Sequence, residues 1–409
     1  MEDVLDRFLR YVKIDTQSEE NGLHPSTKKQ FDLARLLSEE LRAMGASEVY
    51  LDEEFCYVYA VIPSNLPEGI TAPKVGFLAH MDTSNAVSGA GVRPRVVEFT
   101  GADVDLGGDG KYILGMKEFP FLKDFIGQEL VVTDGSTLLG ADDKAGVAEI
   151  MAMAEYLLTH PEVKHGKLSI CFTPDEEVGN GVAKIDLGRF GADFGYTVDG
   201  GPLGGMEYEN FNAASGLLTV YGRSSHPGNA KGNMKNAILI GMEFQSLLPV
   251  FENPMYTEGY EGFFHLCDFH GDVEKATLSY LLRDHDREKF EEKKARFRAA
   301  ADYLNGKYGS GTCEVELKDS YYNMKEVILP HMEIVDKAKE AMAELGITPV
   351  VSPIRGGTDG AMLSHMGLPC PNLCTGGMNC HGRFEFASVP QMRKIVELLV
   401  RIAEKHAEV

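Results

Sequence analysis

The chain reads as an α/β protein: a main domain with a mostly parallel sheet covered by helices, plus a smaller inserted α+β domain. Three observations predict this. Compact apolar runs at 74–79, 168–172 and 194–198 have the length and composition of buried strands. Helical stripes separate them, giving the strand–helix–strand rhythm of a largely parallel sheet. The pattern changes after Gly205 and reverts near residue 325. At 409 residues the chain exceeds one ordinary core. The predicted division is 1–206 with 324–409 as one discontinuous domain, and 207–323 as the insert.

Residues 2–15 and 25–44 read as helices. The second carries the stripe Phe31, Leu33, Leu36, Leu37 and Leu41, opens at Ser26-Thr27 after a proline, and stops at Gly45. Short strands are expected at 48–51 and 56–62, then the 74–79 strand that delivers His80. Residues 84–127, rich in Gly, Asp and Pro, read as a long irregular excursion with short hairpins. A segment of that length usually has a function or walls a site. A strand at 137–140 leads into a helix over 144–159, where Ala145, Gly146, Ala148 and Ala152 permit close packing. In the insert, 208–223, 262–283 and 312–322 alternate like half-buried strands, and helices are expected at 232–248 and 287–306. The glycine-rich run 200–205 reads as a hinge between domains. The chain then returns through helix 329–345, strand 348–352, helix 358–365, strand 370–374 and helix 388–407.

The net charge of -22 argues against binding nucleic acid or an anionic membrane by bulk electrostatics. It suits a protein that handles small substrates. The N-terminal stretch is acidic and amphipathic, without the basic start and apolar core of a signal peptide. No apolar run is long enough to span a membrane. Seven irregularly spaced cysteines fit reduced thiols in a cytoplasm better than a disulfide framework. Cys370, Cys374 and Cys380 cluster, but without the paired CxxC of a zinc site.

Charged groups stand at or soon after the apolar runs. They are His80-Met81-Asp82, Asp142-Asp143-Lys144, Asp175-Glu176-Glu177 and Asp199, with His381 in a late glycine-rich loop. Strand ends are where an α/β sheet places its chemistry. Three carboxylates from these groups with the two histidines are enough to hold two divalent metals. Glu176 is then left to move protons, which points to metal-assisted hydrolysis. His80 is a neutral nitrogen ligand suited to zinc, cobalt or manganese. Asp82, two residues on, shares its strand face and is placed to accept the ring's other N–H and aim it. Asp142 can bridge two metals at a helix start, or merely cap that helix. Glu176 and Glu177 are adjacent and point to different sides, so one can bind metal while the other faces water. Three consecutive acids would repel one another without a nearby cation. HExxH, GxSxG and P-loop motifs are all missing, which removes support for a helix-borne single-zinc protease, serine hydrolysis and nucleotide-driven chemistry.

The ordered strings HMD, LLGADDKAG, FTPDEEVG, VDGGPLG, SSHPGNAKG, RGGTDGA and GGMNCHGRFEF resemble the peptidase T family through nearly the whole chain. These are tripeptide aminopeptidases of the co-catalytic di-zinc exopeptidase group, which also holds aminoacylases and carboxypeptidases. The resemblance implies two metals, zinc first, with cobalt or manganese as alternatives. It implies His80 and Asp199 on one metal, Glu177 and His381 on the other, and Asp142 between them. Asp82 would orient His80, and Glu176 would be the general base. The Asp142–Asp143 peptide is often cis in such enzymes. His226 resembles a lid histidine that stabilises the oxyanion, acting within the chain or across a dimer. Arg355 resembles an arginine that grips the substrate carboxylate, with Arg283 and Asn379 as further substrate-binding candidates. By analogy, the insert would also carry a homodimer contact.

The expected function is release of the N-terminal residue from short peptides, chiefly tripeptides, in the cytoplasm. The alternatives are a sister di-zinc dipeptidase, carboxypeptidase or N-acyl amino acid amidohydrolase. A non-catalytic peptide- or metal-binding protein is the remaining alternative, and it has no use for the spare acid Glu176.

Overall fold

The computed structural model describes residues 2–408. They form two compact units. Unit 1 runs to Tyr208, then comprises Glu326–Val351 and the residues from Thr358 onward; unit 2 is Glu209–Lys325 with Ser352–Gly357. The segment Ser352–Gly357 departs from the division read in the sequence. It is placed by backbone and side-chain bonds, Ile354 N to Glu209 O at 2.8 Å and His285 Nε2 to Ile354 O at 3.0 Å. The 200–205 run lies within unit 1. It joins strand Phe194–Gly200 to strand Gly205–Glu207 instead of forming a boundary.

Unit 1 is built on an eight-stranded sheet. Its spatial order is Ser47–Leu51, Val58–Ile62, Leu168–Thr173, Val75–His80, Phe194–Gly200, Asn372–Cys374, Gly205–Glu207 and Val350–Val351. The four strands Leu168–Thr173, Val75–His80, Phe194–Gly200 and Asn372–Cys374 run parallel, and antiparallel pairs flank them. Every residue of Val75–His80 and Leu168–Thr173 is buried, as expected of strands covered on both faces. Leu78 and Cys171 pack with Phe190 and Leu363. Helix Ala141–Thr159 packs on Val75–His80 and Phe194–Gly200 and is flanked by Val4–Tyr11 and Val389–Lys405. The predicted helix stop at Gly45 is realised: its φ is 92°, and Ala46 N donates to Leu41 O at 3.0 Å.

Two expectations in unit 1 are corrected. Residues 137–140 are not a strand. Leu139 and Gly140 direct their N–H groups to the Glu385 carboxylate, at 2.8 and 2.7 Å, instead of a neighbouring strand. The 84–127 excursion is more ordered than its composition suggests. Arg95–Phe99 joins Gln128–Val132, Phe386–Ser388 and Gly377–Met378 in a second sheet. A core including Phe99, Leu122, Phe125 and Phe386 supports it.

Unit 2 is an antiparallel sheet in the order Phe263–Gly271, Lys275–Asp284, Asn212–Tyr221 and Cys313–Tyr321, with helices Ala237–Leu247 and Arg287–Tyr308. The stretch 262–283 is thus two strands. Asp272 makes the turn, its Oδ1 accepting from Glu274 N and Lys275 N. Along Lys275–Asp284 burial alternates strictly, the mark of a sheet covered on one face. Phe244, Leu278, Tyr280 and Phe297 fill that covered side.

Candidate metal centre

The parallel strands deliver the site. His80 is the last residue of Val75–His80, Asp199 is the last but one of Phe194–Gly200, and Glu176-Glu177 follow Leu168–Thr173. Helix Ala141–Thr159 brings Asp142 to the same strand ends. Gly146 lets it approach, because a Cβ there would sit 1.9 Å from Val198 O. The Asp142–Asp143 peptide is cis. Asp143 Oδ2 accepts the backbone N–H of His80 at 3.2 Å, tying helix to strand.

Asp142 stands between the two histidines. Its Oδ1 is 2.9 Å from His80 Nε2, and its Oδ2 is 3.0 Å from His381 Nε2. Asp199 Oδ1 lies 3.5 Å from His80 Nε2, and Glu177 Oε2 lies 3.0 Å from His381 Nε2. The two adjacent glutamates fall into different groups. Glu177 groups with His80 and Asp142, and Glu176 with His80 and Asp199, with the ligand atoms of each group inside 4.8 Å.

Asp82 is fully buried and does two things. Its Oδ1 lies 3.3 Å from His80 Nδ1, which is also 3.0 Å from the Asp82 carbonyl. Its two oxygens accept the N–H groups of Glu176 and Glu177 at 3.0 and 3.2 Å. One carboxylate therefore aims a histidine and positions both glutamates.

The crowding of acids shows in their proton affinities. Burial pushes Glu176 well above its ordinary value, raises Glu177, and raises Asp199 to about 7. Burial also acts on Asp142, but hydrogen bonds from His381 and His80 outweigh it and hold this carboxyl low. The bonds to Asp142 and Glu177 raise His381 to about 11. Burial opposes protonation of His80, yet Asp199 and Asp142 overcome it. The protein's own groups balance this charge only by retaining protons, a task that cations would take over. The residues fit that use. Glu177 Oε1 is buried without a partner among the described residues, both Asp142 oxygens are aimed at imidazole nitrogens, and the donor set is imidazole and carboxylate.

Three groups that sequence reasoning passed over brace the centre. Asp175, fully buried with φ 56°, accepts from Ser26 N, Ser26 Oγ and Gln30 Nε2 at 2.5–2.7 Å and so holds the turn that carries Glu176. Buried Lys144 donates to Ile14 O at 2.6 Å. Glu385 accepts the N–H of Asp142 at 3.0 Å in addition to those of Leu139 and Gly140. Only Glu385 left a signal in the sequence, an acid alternating with Phe384 and Phe386.

The other candidates have partners of their own. Asn379, with φ 56°, donates from Nδ2 to Phe384 O at 3.3 Å and braces the His381 loop. His226, Arg283 and Arg355 belong to unit 2. His226 is exposed, and its Nδ1 accepts Gly228 N at 3.1 Å. With Nδ1 as the acceptor, the neutral ring carries its proton on Nε2. Arg355 directs both Nη groups to Thr257, Gly259 and Glu261, and its guanidinium lies 5.0 Å from the centroid of the Phe211 ring. Arg283 Nη1 donates to Ala214 O and Leu282 O, while its Nε and Nη2 have no partner among the described residues.

Residues 131–405 match the family described as Peptidase family M20/M25/M40. The chain is 52% identical over 410 residues to a Peptidase T of Alkaliphilus oremlandii, and 53% identical over 410 residues to one of Caldanaerobacter subterraneus, each alignment covering 100% of both chains. An aminopeptidase from Bacillus cereus has the same fold, with a TM-score of 0.77 at 23% identity over 99% of this chain and 98% of the other. So has a tripeptidase from Staphylococcus aureus, with a TM-score of 0.79 at 22% identity and the same coverage. By full-length identity and by the family match, this chain belongs to the peptidase T family, within the M20/M25/M40 peptidases.

Proposed function

We propose that the chain is a metal-dependent aminopeptidase that removes the N-terminal residue of short peptides, tripeptides above all. The observation that carries this reading is Asp142, each of whose oxygens faces a different histidine, with Glu176 beside His80 and Asp199 as the acid that would serve as base. His80 and Asp199 would hold one divalent ion, Glu177 and His381 the other, and Asp142 both. Zinc is the first candidate, with cobalt and manganese as alternatives. Bound there, the ions acidify water and polarise the scissile carbonyl.

The chain's own groups do the rest. Glu176 accepts the proton of the attacking water at a carboxylate oxygen and passes it to the leaving amine nitrogen. Burial raises its proton affinity, the direction a shuttle working near neutrality needs. Asp82 keeps His80 oriented. His226 Nε2–H is a donor suited to the oxyanion. Replacing His226 with alanine should therefore lower kcat more than it raises KM. A guanidinium, from Arg355 or Arg283, binds the substrate's C-terminal carboxylate. The bonds already made by Arg355 leave Arg283 with more open donors. Asn379 Oδ1 is available to the substrate amine.

The test is turnover of a free-amine tripeptide, its dipeptide, its N-acetylated form and its C-terminal amide, before and after chelation and zinc return. Chelator-sensitive release of the first residue from the free tripeptide alone supports the proposal. Preference for the dipeptide or the blocked peptide moves the chain to a sister activity. Undiminished cleavage of the amide removes the arginine role.

A homodimer through unit 2 belongs to the same reading. Leu239, Met242, Phe251 and Met255 are each more than half exposed there, an apolar surface a second copy would cover. A monomer mass by light scattering at working concentration would sink it. A cytoplasmic setting is supported by seven cysteines that are all free; cell fractionation checks it. No helix among the described residues is long and apolar enough to cross a membrane.

A further inference from the structure

Glu385 is buried at 1% exposure, and both its oxygens accept from backbone donors. Oε2 accepts Leu139 N and Gly140 N, and Oε1 accepts Asp142 N. These three N–H groups lie in the turn that leads into helix Ala141–Thr159, where Asp142 and Asp143 keep a non-helical backbone. The donors lie more than 240 residues away in the chain. On its own side, Glu385 follows His381 by four residues and immediately precedes strand Phe386–Ser388. Its neighbours Phe384 and Phe386 are anchored among aromatic rings. Phe384 is 5.2 Å from Phe119, and Phe386 is 5.1 Å from Phe125, centroid to centroid. Glu385 itself is directed toward the Asp142 turn, as its three hydrogen bonds show.

We infer that Glu385 is a positioning residue for the two-metal centre. It clamps the turn carrying Asp142 to the segment carrying His381, and so sets the spacing of the two metal positions. Asp142 reaches both histidines only if its backbone is held, and of its backbone contacts this one comes from the far end of the chain. The second sheet, to which the 84–127 excursion contributes strand Arg95–Phe99, then acts as the rigid base of the clamp. This role rests on the two-metal reading above.

The test uses the full chain, stripped of metal and titrated with cobalt against a competing chelator while its visible absorption is followed. Native protein must first take up two cobalt ions; if it does not, the two-metal reading fails, separately from the clamp. The variant Glu385→Gln keeps the shape but turns an NH2 toward backbone donors. It is expected to bind cobalt about 10–100-fold more weakly, the range for groups that support ligands without touching metal. Its cobalt spectrum should change, and kcat should fall with KM little altered. Native affinity and spectrum in Glu385→Gln, even with a lowered melting temperature, would reduce Glu385 to a helix cap and overturn the inference. If that variant does not fold, Phe384→Leu, which loosens the base without touching the site, is measured the same way. Weakened binding supports the clamp, and unchanged binding and spectrum overturn it.

Discussion

Replacing Glu176 with alanine is expected to leave two metals bound and to lower kcat by at least about 100-fold, the usual worth of a positioned general base. The glutamate makes no contact that the fold needs. Its backbone is held by Asp82 through the N–H, a bond the substitution keeps. Its side chain is not required by either histidine, since Asp142, Asp199 and Glu177 already face them. Loss of the carboxylate therefore removes proton transfer and little else. Glu176→Gln should behave alike, because an amide has the shape but cannot accept the proton. Steady-state kinetics alongside metal analysis of the purified variants decides the matter. Turnover near native with two metals in place would show that another group moves the proton.

The second large effect is expected at Asp142. Asp142→Asn preserves volume but presents one oxygen and one NH2 where two oxygens faced two histidines. A single acceptor can serve His80 or His381, not both. Metal content should fall from two ions to at most one per chain. Activity should drop by more than about 100-fold, beyond what losing a supporting group costs. The fold should survive, since Glu385 still binds the backbone N–H of residue 142 and Asp143 still binds His80 N. Two ions retained at native affinity would remove Asp142 from the shared position.

Much of this site was legible because its residues stand at the ends of apolar runs. The runs 74–79, 168–172 and 194–198 could only be buried strands, so His80, the 175–177 acids and Asp199 had to emerge at one edge of a sheet. Strict alternation likewise announced the antiparallel sheet of unit 2. The 137–140 stretch was misread for a related reason. Its residues are extended and apolar like a strand, but their donors are claimed by Glu385, which no local pattern reveals. The 84–127 segment misled by composition: its glycines and aspartates mark turns, while the few aromatics that build its core are scattered among them.

The sequence by itself determined which side chains carry the chemistry, the two-unit plan and the family, because each rests on residue identity and on periodicity within a segment. The tertiary structure alone decided which oxygen faces which histidine, that Asp82 serves three partners, that Arg355 is engaged by the 257–261 loop, and that Glu385 braces Asp142. Those are contacts between segments distant in the chain, many of them from a side chain to a backbone group. A backbone N–H is the same at nearly every residue, so nothing in the local sequence marks the one that a distant carboxylate will find.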